Sequence, residues 1–185
     1  GEKGFEIHVH NNSMKKIYNE LVQHGENFNL IHFGMLALDS MRLEKNYRSW
    51  KSDLTSDYTM LQSGLEKWIK FDKGNFIGKE ALKNEFDLGT SKKFVTLVVD
   101  DPEDNKPFGE PVYLSPVFAG DDYLGPIVSS GYGHRVKKSI SMAILDDRNL
   151  NGLNDQLYID VLGRKRKAYI VNEALYDPEN LKLRS

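Results

Sequence analysis

The chain has 185 residues, is 39% hydrophobic and 28% charged, and sets 25 basic against 27 acidic side chains for a formal net charge of −2. It has no cysteine, which excludes disulfides, thiolate–metal sites and cysteine nucleophiles, and its near-neutral balance supplies no global field for nucleic acid or anionic lipid. No apolar run approaches the roughly 18 residues of a membrane span, so the composition points to a soluble, cytoplasmic protein of one domain or two small ones.

The chain opens Gly1-Glu2-Lys3-Gly4-Phe5-Glu6 without an initiator methionine and passes at once into Ile7-His8-Val9-His10. Its alternating character predicts a strand from residue 5, and so abrupt an entry suggests a fragment cut inside a folded unit. Asn11 and Asn12 suit a tight turn, Ser13 a helix N-cap, and Met14, Ile17, Tyr18, Leu21 and Val22 recur at helical spacing up to a stop at Gly25. Residues 33–45 are rich in helix formers and apolar on more than one face, which predicts a largely buried helix. Residues 46–63 show no period and read as an ordered loop. Gly64 to Lys70 is short and apolar on alternate positions, and Gly78 to Phe86 reads as another short helix.

After about residue 90 the texture changes. Phe94 to Val99, Pro111 to Val117, Pro126 to Gly131, Ser139 to Leu145, Gln156 to Leu162 and Ala168 to Val171 are short β-rich runs punctuated by Gly, Pro, Asn and Asp. Six such runs predict a small antiparallel barrel or sandwich, with Lys165 near a hairpin tip. The chain therefore divides near residue 88, into an α+β piece over 1–88 and an all-β piece over 89–185.

Few residue patterns carry chemistry by themselves. His8 and His10 share one strand face, but no third ligand follows at a recognisable spacing, so a solvated face is the simpler reading and no metal site is assigned. Gly131-Tyr132-Gly133 has no helix behind it to complete a phosphate cradle and reads as a turn. Gly163-Arg164-Lys165-Arg166-Lys167 is the one dense basic cluster, and a charged hairpin tip explains it without nucleic acid. Asp39, Arg42 and Glu44 can form an ion-pair set on their helix. Glu6 alternates onto the face of His8, with Phe5 and Ile7 expected to pack into the body. A carboxylate so placed can accept two adjacent N–H donors from a heterocycle such as a 2-amino-pyrimidinone, although an exposed strand glutamate reads the same way.

Gly1-Glu2-Lys3-Gly4-Phe5-Glu6-Ile7, then Phe33-Gly34-Met35-Leu36-Ala37-Leu38-Asp39-Ser40-Met41-Arg42-Leu43-Glu44-Lys45, resembles the glycine-cleavage T-protein (aminomethyltransferase) superfamily. Tyr47-Arg48-Ser49-Trp50, Asp53-Leu54, Gly64-Leu65-Glu66, Lys70 and Phe76-Ile77-Gly78-Lys79-Glu80-Ala81-Leu82 extend the resemblance toward the folate-binding portions of dimethylglycine and sarcosine dehydrogenases. Ser129-Ser130-Gly131-Tyr132 and Lys138 to Ala143 resemble the family's barrel signature.

The resemblance implies an α+β fold, part of the T-protein folate-binding body followed by a β-barrel. It implies tetrahydrofolate as cofactor and a small amine-derived one-carbon donor as partner, with FAD held only by a flavin domain upstream in the full-length chain. The family's catalytic aspartate lies in the first part of the folate body, which has no counterpart here, so no catalytic residue is assigned and the piece alone is expected to be inactive. Carried over by position, Glu6 matches the glutamate that holds the pterin, with Ile7 and His8 extending that contact. Lys67 and Trp68 fall where the family places an aromatic near the cofactor, the indole for stacking and the lysine for the glutamate tail. Leu38 replaces the T-protein arginine of the Ala-Arg-Asp-Ser segment, which favours the dehydrogenase branch. The T-protein's C-terminal tyrosine contact falls near Leu181, where no tyrosine stands.

Overall fold

The computed structural model describes residues 2–100, 109–147, 150 and 157–185. In chain order these give α1 (Asn11–Gly25), a 3-10 turn (Glu26–Phe28), α2 (Met35–Glu44), a second 3-10 turn (Glu66–Trp68) and α3 (Lys79–Leu88). Six strands follow: β1 (Lys92–Val99), β2 (Pro116–Ala119), β3 (Asp122–Gly133), β4 (Lys138–Asp146), β5 (Leu157–Val161) and β6 (Arg164–Val171). A single turn, α4 (Leu181–Arg184), completes the described elements.

The strands close into an antiparallel barrel in the order β1-β4-β3-β2-β5-β6, so none of them is left with an unpaired edge. Side chains alternate across each strand, and both faces of β1 and β4 are buried. One face fills the barrel with Val95, Leu97, Val99, Ala143, Leu145, Leu157 and Ile159. The other builds a second cluster outside it, where Phe94, Ile140, Met142 and Ile144 meet Leu43 of α2. At Gly125 (φ 153°) a Cβ would lie 2.2 Å from the Ile144 carbonyl oxygen, so only glycine lets β3 cross β4 this closely.

The six β-rich runs of the sequence all contribute strands, with adjusted limits. Residues 111–115 form a turn held by the Val112 N–H donating to Ser115 Oγ, and β2 starts only at Pro116. Gln156, the expected start of the fifth run, lies outside the described residues. Gly131-Tyr132-Gly133 is not a turn: β3 runs through it, paired to Lys138–Ile140. A Cβ at Gly131 would press on Leu43 at 3.0 Å and one at Gly133 on Glu44 at 2.9 Å, so these glycines make the groove in which α2 docks. The basic cluster is likewise mostly strand. Leu162 and Gly163 form the tip, Lys165 pairs with Asp160 one step from it, and Arg166 is buried.

The helical half departs further from expectation. Residues 5–10 carry no regular secondary structure and pair with no strand among the described residues, and Phe5 and Ile7 stand exposed rather than packed. Helix α1 starts at Asn11 rather than after Ser13, and its N-cap is His10, whose Nδ1 accepts the Asn12 N–H. At Gly25, itself in ordinary helical conformation, the helix passes into the 3-10 turn, which the left-handed Asn29 ends, and the Leu30 side chain packs where a Gly25 Cβ would stand. Helix α2 is buried only at its C-terminal end, at Leu43 and Glu44, while Met35, Leu36 and Met41 face outward. Gly64 to Lys70 carries a 3-10 turn and no strand.

Candidate functional site

The C-terminal end of α2 is where side-chain chemistry concentrates. Arg42 donates from Nε to Asp39 (3.0 Å), from Nη1 to Asp53 (2.6 Å) and from Nη2 to Ser129 Oγ of β3 (2.9 Å). Asp53 is completely buried and also accepts from the Ser49 N–H (2.7 Å) and from the Ser129 hydroxyl. Removing one partner of so enclosed a pair typically costs about 3–5 kcal/mol. The Arg42–Asp39 pair matches the expected set. Glu44 stands apart from it, accepting the Arg135 N–H (2.7 Å) at the β3–β4 turn. A supporting structural role therefore fits Arg42 and Asp53. It does not fit Trp50, which is 75% exposed.

Pinned at Asp53, the loop after α2 turns Lys45, Asn46 and Arg48 toward a cleft of about 1460 Å³ between residues 45–68, strand β1 and the segment after β6. Lys45 is buried, and its Nζ donates to the Asp177 carbonyl (2.7 Å), the Asp177 carboxylate (3.1 Å) and Asn180 Oδ1 (2.7 Å). Arg48 lies over the Phe94 ring at 4.3 Å, and its Nε is buried without a hydrogen-bond partner. Burial pushes this guanidinium below its ordinary pKa, and the nearby Glu66 and Asp53 carboxylates oppose that shift.

Lys67 and Trp68 stand together on the cleft wall, the ammonium 5.3 Å from the indole ring and the indole 68% exposed. Glu6, Ile7 and His8 are not among the lining residues. They lie on the exposed N-terminal segment, where Glu6 and His8 share a face as alternation requires and approach to 3.3 Å. Sequence reasoning passed over Lys45 and Arg48 as site residues. Arg48 had only its place between two aromatics to mark it, and the partners that bury Lys45 stand some 130 residues away.

Comparison with known proteins agrees with this architecture. Residues 1–73 match the family described as GCVT N-terminal domain, and residues 92–177 match the glycine cleavage T-protein C-terminal barrel domain. The aminomethyltransferase of Pseudothermotoga lettingae is 33% identical over 176 residues, which cover 95% of this chain and 46% of that protein. The mitochondrial dimethylglycine dehydrogenase of Mus musculus is 29% identical over 180 residues, covering 95% of this chain and 20% of that protein. The crystal structure of glycine cleavage system aminomethyltransferase T from Bartonella henselae superposes with a TM-score of 0.75 at 17% identity, over 90% of this chain and 45% of that one. At that identity the superposition speaks for the fold.

A stretch matching the GCVT N-terminal domain, followed by a T-protein C-terminal barrel, is the class that fold and sequence define together. The chain belongs to the glycine-cleavage T-protein superfamily, and its relatives include both aminomethyltransferases and dimethylglycine dehydrogenases. It spans about half the length of these aminomethyltransferases and a fifth of these dehydrogenases.

Proposed function

We propose that this chain is part of a tetrahydrofolate-dependent enzyme that captures the one-carbon unit released by oxidative demethylation of an N-methyl amine such as dimethylglycine or sarcosine. The observation that carries the reading is the cleft wall, where a broad exposed indole stands beside a cation in a chain of T-protein descent. Trp68 offers a flat face for a heterocycle or an aryl ring, and Lys67 a charge for a carboxylate tail. Glu6 offers a carboxylate for the paired N–H donors of a pterin, with Ile7 and His8 beside it. Its exposure leaves those oxygens accessible, although it stands on the N-terminal segment, outside the cleft that Lys67 and Trp68 line. When bound, tetrahydrofolate supplies the nitrogen atoms that accept the one-carbon unit. The oxidation that frees that unit belongs, on this reading, to a flavin domain elsewhere in the full-length protein.

A second reading, the aminomethyltransferase of glycine cleavage, is favoured by the 33% identity to the Pseudothermotoga lettingae protein. Leu38, where the resemblance places the T-protein family's arginine, weighs for the first. A non-catalytic folate-binding relative is the third possibility, since one fold serves many functions.

Calorimetric titration of tetrahydrofolate into the full-length protein tests the common element of all three. Glu6→Gln sets N–H against N–H and is expected to weaken binding by about 2 kcal/mol, roughly thirtyfold, with little change in melting temperature. Trp68→Ala is expected to weaken it as well, with a stability cost from lost packing. Absence of saturable binding to the full-length wild type overturns the folate reading, and equal affinities in Glu6→Gln return Glu6 to an ordinary exposed glutamate.

A further inference from the structure

We propose that Arg48 is a carboxylate-binding site, receiving one carboxylate of a ligand whose flat aryl body lies along the Trp68 side of the cleft. Resting on the folate reading above, that carboxylate belongs to the glutamyl tail.

The guanidinium is held in place before any ligand arrives. One face rests on the Phe94 ring, 4.3 Å from its centroid. At its Nη2 end stands Gly64, where a Cβ would lie only 2.7 Å from Nη2 and 3.8 Å from the Phe94 Cβ, so the lack of a side chain there is what gives the guanidinium its room. Gly64 also has φ +64°, a conformation that glycine adopts without strain, so the same residue turns the chain and opens the slot. Stacking of this kind fixes a planar fork with little further loss of side-chain freedom.

What the fork lacks is an acceptor. Nε is buried and unpartnered, a costly condition for a charged group. Asp53, one of the two carboxylates near enough to act on it electrostatically, is already committed to Arg42, Ser49 and Ser129. The other, Glu66, is exposed on the 3-10 turn.

Carboxylate and phosphate both fit a guanidinium fork. The lining is mixed in sign, with Glu66, Glu85, Asp147, Glu173 and Glu179 set against Lys45, Lys67 and Lys93, so charge alone does not separate the two anions. The carboxylate is favoured because it comes attached to a flat aryl body that Trp68 can stack, which inorganic phosphate lacks. Lys67 beside Trp68 remains for a second one.

The test titrates three probes into the full-length protein: p-aminobenzoyl-L-glutamate, p-aminobenzamide, which lacks the carboxylates, and inorganic phosphate. Wild type is expected to bind the first. Arg48→Met should weaken it at least about tenfold, and Arg48→Lys, which keeps the charge without the fork, severalfold. Glu66→Gln, by removing a like charge, should tighten it about two- to threefold. Binding of p-aminobenzamide should be the same in all variants, and phosphate should not compete. No binding of p-aminobenzoyl-L-glutamate to wild type, equal affinity in folded Arg48→Met, or effective competition by phosphate overturns the proposal. Should Arg48→Met fail to fold, Arg48→Lys and Glu66→Gln decide. A parallel tetrahydrofolate titration separates the two claims. Equal binding to wild type and Arg48→Met sinks the Arg48 site alone, whereas loss of p-aminobenzoyl-L-glutamate in the variant with no tetrahydrofolate binding to wild type sinks the folate reading alone.

Discussion

Lys45 shows how much one side chain can hold. All three of its N–H donors are used, and all go to Asp177 and Asn180 beyond the barrel, so the ammonium, together with the Tyr176 N–H donating to the Glu44 carbonyl, fastens the last described segment to the end of α2. Burial pushes the Asp177 carboxyl up, but the Lys45 ammonium and the N–H groups of Lys182 and Leu181 outweigh it, and its pKa lies below the ordinary carboxylate value. A carboxyl depressed in the folded state contributes stability that is complete above its unfolded pKa, about 3.9, and is lost as pH falls through the lower folded value. Carboxypeptidase trimming of the C-terminal segment should therefore be equally slow at pH 7 and pH 5, and should accelerate only below about pH 4. Asp177→Asn should give fast trimming throughout. A release that begins near neutrality would contradict the assignment. None of this is written near Lys45, because its partners follow about 130 residues later, and the orphaned Nε of Arg48 is equally invisible until Phe94 and Gly64 are brought against it.

Among the elements, the β5–β6 hairpin carries a visible strain. Its two tip residues, Leu162 and Gly163, both have positive φ (52° and 81°), the pairing that matches strand twist in a two-residue turn. Glycine adopts it freely, but leucine does so against its Cβ, and the Leu162 side chain is 86% exposed with nothing to offset the cost. Leu162→Asn is expected to stabilise the chain by about 0.5–1 kcal/mol, raising the melting temperature by roughly 2 °C in a thermal scan. No change would show that the turn relaxes in solution. The strands themselves were legible because period-two alternation and turn residues are local signals, and closure of the barrel only adjusted their ends. Residues 5–10 alternate just as well, yet a strand needs a neighbour, and alternation says nothing of whether one is present. Gly131 and Gly133 misled in the opposite sense. They read as a turn because glycine is the turn residue, whereas here the missing side chains leave room for Leu43 and Glu44 of α2. The proposed contacts divided similarly: Lys67 and Trp68 reached the cleft, while Glu6, Ile7 and His8 remained on the segment that found no partner strand.

At the scale of the whole molecule, burial is unevenly distributed. The barrel interior and the cluster outside β1 and β4 hold nearly all the buried apolar side chains of the described residues, whereas Gly25 is the one buried residue of α1. We place the division into 1–88 and 89–185 in the short link between α3 and β1, with Ser40, Leu43 and Glu44 joining the two parts across it. A 15-residue helix without a packed face is marginal in water. Hydrogen exchange should therefore find α1 opening at about 1–2 kcal/mol, with β1 and β4 exchanging only on global unfolding. Equal protection of α1 and β4 would refute this hierarchy. The strand order has a further consequence, for the nascent chain. Strand β1 is flanked by β4 and β6, both of which follow it in sequence, and six consecutive residues of β1 are buried on completion. At about 5–20 residues per second, the roughly 40 residues separating β1 from β4 take some 2–8 s to translate, and β6 comes later still. For that interval a strand destined for burial leaves the ribosome with neither neighbour made, a window in which a chaperone or another unfinished copy can reach it first.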